Sequence, residues 1–213
     1  KKSSTSYKKI WTDEGSPLKI YSSKLKESIA EKLIDDSVLV EFGMQCGNPT
    51  IKNAISRLRN NGCDEITVLP LYPQYASSSY GAAVEQVYKE ILNSWNIPFL
   101  KIIPPFYSNP LFIKTWASIG KPFLEKKPEH ILFSFHGLPL RHLKKSESSP
   151  NWCKKKPRCC DELVFENRYC YSAQCHHTAK LIATRLKIKK DIWSVSFQSR
   201  LGKAEWVKPY TEP

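Results

Sequence analysis

A chain of 213 residues can bury a real core, as one large domain or two small ones. One residue in four is charged and 12% are aromatic, which excludes wholesale disorder, and no apolar run reaches the length of about 18 residues that a membrane span needs. The formal net charge of +13 favours anionic partners such as phosphates, acidic lipid or carboxylate-bearing small molecules. The lysines are spread along the chain, however, so solvated helix faces account for most of the charge. No basic run is interleaved with aromatics, and a nucleic-acid partner is not expected. The opening KKSSTSYKK lacks both an initiator methionine and an apolar core; it reads as a cut or processed end, not a secretory signal.

In chain order, SVLVEFGM (37–44) reads as an apolar strand. Pro49 and Thr50 precede a helical run through Ile51, Ile55 and Leu58 that Asn61 and Gly62 end. EITVLPLY (65–72) is a strand. A helix over 81–95 carries Val84, Val87, Tyr88, Ile91 and Leu92, and PFLKIIPPFY (98–107) is a strand stopped by Pro104 and Pro105. The alternation then restarts: a helix over 111–124, the strand HILFSFHG (130–137), a helix over 171–186 and the strand DIWSVSFQS (191–199). Alternating units of this length predict an α/β fold of two doubly wound, Rossmann-like domains with parallel sheets. The expected halves are 1–103 and 104–213, the second with a cysteine-rich insertion over about 146–170. Ligands of such sheets sit beyond the carboxyl ends of the strands, so the tips at 72–75, at His136 and at 198–200 are expected to line one cleft between the halves.

FSFHGLPLRH (133–142) ends an apolar strand on a histidine and breaks at once. His136 is either scaffold, hydrogen-bonded to a neighbouring loop, or a group that takes a proton or holds a metal near neutral pH. Gly137 would let another backbone or a flat ligand approach closely, and Pro139 would stiffen the outgoing chain. Of seven cysteines, Cys46 and Cys63 stand alone, while Cys153, Cys159, Cys160, Cys170 and Cys175 crowd one segment. An odd total argues against a disulfide scaffold; clustered thiolates can wrap an iron–sulfur cluster or a tetrahedral zinc. The absence of any C-x2-C pair weakens the zinc-ribbon reading.

FSFHGLPLRH resembles the signature of the ferrochelatases, which insert ferrous iron into a porphyrin in heme biosynthesis. VLPLYPQYASSSYG (68–81), YSAQCHHTAKLIATRL (171–186), SVSFQSRLGKAEWVKPYT (194–211) and EFGMQCGNPTI (41–51) are similar to further family blocks, in the family's order. The resemblance implies a lyase with His136 as the catalytic, metal-site histidine. It implies a porphyrin pocket, for protoporphyrin IX or coproporphyrin, that includes Tyr72, Gln74, Arg200 and Trp206. The cysteine-rich stretch resembles the internal four-cysteine insertion of one bacterial class that binds a [2Fe-2S] cluster; Cys153, Cys159, Cys160 and Cys170 are then the ligands, with Cys175 as substitute. The chain departs from the family in lacking the opening Asn-Leu-Gly strand and the closing helix with a second acid, so it is expected to be truncated at both ends. Gln45 and Cys46 stand where Arg-Tyr is usual, removing one partner for a propionate. The alternative on the same fold is a non-catalytic tetrapyrrole or iron–sulfur binding protein. The implied location is the cytoplasm, with a peripheral contact at the inner membrane, to collect or deliver an apolar ligand, left open.

Overall fold

A computed structural model describes residues 8–33, 37–146 and 159–212. The chain divides into two compact units, one comprising 1–68 and 83–102, the other 69–82 and 103–213. Both are α/β with parallel strand pairing.

In the first unit, helix α1 (Pro17–Lys32) starts on Pro17, with the Ser16 hydroxyl accepting from the Lys19 amide at 3.3 Å. Helix α2 (Ile51–Asn60) is capped by Thr50, whose hydroxyl accepts from Asn53 N at 3.1 Å. It stops where Gly62 takes φ +81°, a left-handed value that glycine adopts without a Cβ penalty. Strand β1 (Glu65–Val68) pairs in parallel with β2 (Phe99–Ile102), in the register Ile66 with Leu100 and Val68 with Ile102. Helix α3 (Ala82–Leu92) follows a single π turn (Ser77–Gly81) and brings Val87 and Ile91 onto Ile55 and Ile66 to form the core. Strand alternation turns Glu65, Thr67, Phe99 and Lys101 to the opposite, exposed face.

The stretch 37–44, expected as a strand, forms no ladder: Ser37 lies in a turn, and only an isolated bridge joins Met44 to Thr50. Its Val-rich pattern suits a strand, but a strand also needs a neighbour to complete its hydrogen bonds, and no described segment supplies one. Glu41 anchors it instead: Arg57 Nη2 donates to Glu41 Oε2 at 2.8 Å, and Lys26 Nζ lies 3.6 Å from Oε1.

The second unit is built on β3 (Ile131–His136) and β4 (Trp193–Gln198), in parallel register from Ile131 with Trp193 to His136 with Gln198. Residues 209–211 run along the free edge of β4, with Phe197 N donating to Pro209 O at 2.8 Å and Thr211 N to Phe197 O at 3.0 Å. Helix α4 (Pro110–Leu124) is capped by Asn109, helix α5 (Leu140–Lys145) leaves the β3 tip, and α6 (Tyr171–Arg185) forms the core with the sheet. The amino-terminal half of α6 is buried almost all round. Its Ala173, Cys175 and Ala179 are small enough to meet Val195, Phe197, Leu143 and Val207 closely.

Candidate functional site

The alternation of β3 decides where its histidine faces. Phe133 and Phe135 turn inward, onto Trp193 (ring centroids 5.6 Å apart) and Phe197 (6.4 Å), so Leu132, Ser134 and His136 share the exposed face. On that face the Thr211 hydroxyl lies 3.2 Å from the Ser134 hydroxyl and 2.7 Å from that of Ser196. His136 stands at the carboxyl end of the strand, opposite Gln198. Its Nδ1 lies 2.7 Å from the carbonyl oxygen of Gly137. A carbonyl only accepts, so Nδ1 carries the hydrogen, and in the neutral ring the lone pair is on Nε2. The site thus offers an exposed imidazole with one fixed tautomer, able to accept a proton or meet a metal ion at Nε2.

The ledge after His136 is tied down by backbone. Gly137 N donates to Gln198 O at 2.7 Å, Val207 N to Leu138 O at 2.9 Å and Leu140 N to Glu205 O at 2.8 Å. A Cβ on Gly137 would stand 2.9 Å from the Gln198 carbonyl oxygen and 3.2 Å from the Trp206 ring. What approaches this glycine is therefore the neighbouring strand and an indole, both from the chain itself. Trp206 is half-buried, its Nε1 donating to Leu201 O at 3.0 Å. Arg200 is exposed, and its guanidinium lies 4.2 Å from the centre of the Tyr210 ring.

Tyr72 and Gln74 lie on a segment fastened to α6. Gln74 is buried, and its amide donates to Thr178 Oγ1 at 3.1 Å; that hydroxyl donates in turn to Tyr107 O at 2.9 Å. Tyr75 N donates to Gln174 Oε1 at 2.6 Å. Tyr72 is half-buried. Sequence reasoning missed Gln174 and Thr178, one helical turn apart on α6. Two polar residues at that spacing among small apolar ones were the available signal.

Of the clustered cysteines, Cys153 lies outside the described residues. Cys159 and Cys160 are half-buried with sulfurs 3.8 Å apart, and Cys170 and Cys175 are buried. Hydrogen bonding from Cys170, aided by Ser172 and the charge of His176, brings the Cys160 thiol down to about 6 against the opposing effect of burial. Burial pushes Cys175 well above the ordinary thiol value. The segment is organised by Asn167, also missed from sequence. Its Nδ2 donates to the carbonyls of Cys159 (2.8 Å) and Glu162 (2.7 Å), and its Oδ1 accepts from Val164 N (2.7 Å). Among the described residues no group of three or more histidine, cysteine and carboxylate side chains is arranged to hold a metal ion. The described thiols therefore supply neighbours for a cluster but not a closed ligand set.

No helix among the described residues is long and apolar enough to cross a membrane. The ferrochelatase family model matches residues 1–213. A ferrochelatase of Legionella pneumophila (strain Philadelphia 1) is 39% identical over 211 residues, which are 99% of this chain and 61% of the relative. Ferrochelatases of Pseudomonas entomophila (strain L48) and Coxiella burnetii (strain Dugway 5J108-111) are 41% and 40% identical, over 99% and 100% of this chain and 62% and 58% of theirs. The chain thus spans about three fifths of the length of the curated relatives it matches. With an α/β fold, parallel sheets and a family match that runs from end to end, the chain belongs to the ferrochelatase family.

Proposed function

We propose that this protein takes part in heme biosynthesis as a ferrochelatase, a lyase-class enzyme that inserts ferrous iron into a porphyrin and releases two protons. The observation that carries the reading is His136: an exposed imidazole at the carboxyl end of a strand, its Nδ1 engaged by Gly137 and its Nε2 lone pair left over. Pyrrole N–H groups in a flat macrocycle are very weak acids. A base positioned where they leave, with the ring bent by binding energy from its periphery, lowers the barrier to metalation. In this reading Nε2 of His136 receives a pyrrole proton or meets the incoming iron. Trp206 and Tyr72 supply apolar wall, and Arg200 supplies a cation for a propionate. Gln74, whose amide is engaged by Thr178, positions the loop that carries Tyr72. The division of labour between halves 1–103 and 104–213, a cytoplasmic setting and a peripheral contact with the inner membrane belong to the same proposal.

Anaerobic mixing of the protein with ferrous iron and either protoporphyrin IX or coproporphyrin tests it. Metalloporphyrin formed over many turnovers is the expected result. A porphyrin Soret shift without turnover would select the non-catalytic tetrapyrrole-binding alternative.

A second reading concerns the cysteines: a [2Fe-2S] cluster held by Cys153, Cys159, Cys160 and Cys170, with Cys175 as substitute. It is supported by the contact of Cys159 with Cys160 and the hydrogen bond between Cys160 and Cys170. Such a cluster would supply a redox-active iron pair, and no step above runs through it. Iron and acid-labile sulfide in anaerobically purified protein, at two of each per chain, is the expected result; sulfide-free protein would remove the reading.

A further inference from the structure

A cavity of about 810 Å³ opens within the second unit, in the size range of small-molecule sites, and the chemistry above makes no use of it. Three basic side chains line it: His142 and Lys145 from α5, and Arg168 from the turn before α6. Among the described residues, none that lines it is a carboxylate and none of the ion pairs involves these three. Ser77, Ser78 and Ser146 line it as well, the Ser146 hydroxyl with its one hydrogen already committed to a backbone carbonyl. The rings of Tyr75 and Tyr169, with centroids 5.9 Å apart, close one wall.

The walls are pre-set. Gln174 is buried to 1% exposure and bridges two of them, accepting from Tyr75 N at 2.6 Å and donating to the Arg168 carbonyl at 2.6 Å. The Arg168 guanidinium lies over the rings of Phe165 (3.7 Å) and Tyr169 (4.7 Å), while its Nη1 donates to Phe165 O at 2.6 Å. A guanidinium held this way forfeits little freedom when an anion arrives. The Ser146 hydroxyl donates to His142 O at 3.0 Å, fixing the end of α5 that carries Lys145.

We propose that this cavity binds a phosphate-bearing small molecule. The Lys145 and Arg168 cations, the His142 imidazole and the hydroxyls of Ser77 and Ser78, drawn from three separate segments, suit an oxyanion with several peripheral oxygens better than a planar carboxylate with two. The tyrosine wall and the volume leave room for an apolar or planar body attached to it. None of the residues that line it is among those assigned to the porphyrin or the iron, so pyrophosphate binding is read independently of iron insertion.

Calorimetric titration of the full chain in about 150 mM KCl, where diffuse electrostatics are screened, tests it with two probes: inorganic pyrophosphate and, as a polycarboxylate control, citrate. The expected result is saturable one-to-one binding of pyrophosphate, at least about tenfold tighter than citrate. Lys145→Gln should weaken it about tenfold or more, as loss of one charge-assisted contact predicts. Both lysines are exposed, so the variants fold, and Lys144→Gln, next door but outside the lining, should leave it unchanged. Absence of saturable binding, equal affinity for citrate, or equal weakening by the two lysine variants would each overturn the proposal.

Discussion

The His136 ledge and the cysteine-rich segment flank the same sheet but are held in place by different means. The ledge is fixed by backbone hydrogen bonds on both sides, from Gly137 to Gln198 and from residues 138–140 to 205–207. Side chains there are left over for chemistry. The segment 159–170 has no ladder, and the side chain of Asn167 supplies three of its hydrogen bonds. A scaffold of main-chain bonds tolerates side-chain change and resists added volume; one hung on a single buried amide does the reverse.

The sharpest way to break this contrast is Asn167→Ala. It strands the Val164 amide and the carbonyls of Cys159 and Glu162, at a cost of about 3 kcal/mol. If that energy is local to the segment, alkylation of Cys159 and Cys170 speeds up about a hundredfold while the Gly137 and Val207 amides keep their exchange protection. Equal loss of protection at both places would show the two regions to be one cooperative unit. Next is Gly137→Ala, whose new Cβ would meet Gln198 O and Trp206. Its expected cost is about 2 kcal/mol, read as a lowered urea midpoint, with cysteine alkylation in the native state unaffected.

Glu41→Gln lies outside both regions and serves as the mild control, costing about 1 kcal/mol at neutral pH. The hydrogen bond from Arg57, with the charge of Lys26, holds the Glu41 carboxyl below its ordinary value of 4.5. Its contribution is therefore fully present above that ordinary value and is lost as pH falls through the lower folded one. The stability gap between wild type and Glu41→Gln should close over that acid window; a gap constant with pH would show that the carboxylate charge is not what matters.

The elements of this fold were legible from periodicity and punctuation. Thr50, Asn61 and Gly62 bracket α2, and the break after His136 marks the end of β3. Residues 37–44 misled because an apolar run specifies an extended chain, whereas a ladder also depends on what lies alongside. The π turn at Ser77–Gly81 left no periodic trace. Within the candidate site, the residue types in the motifs were readable, but their supports were not. Asn167, Gln174 and Thr178 act through tertiary hydrogen bonds, which composition and spacing do not encode. Gly137 illustrates the same limit: its lack of a Cβ pointed to a close approach, and only the fold identifies Gln198 and Trp206 as what approaches.

The account rests on the imidazole of His136, so the most direct measurement compares iron insertion by wild type and His136→Ala under matched porphyrin occupancy. The predicted result is a fall in the insertion rate of about 10²–10⁴-fold, the scale of a lost acid–base group, with porphyrin affinity little changed. An insertion rate equal to wild type would contradict it.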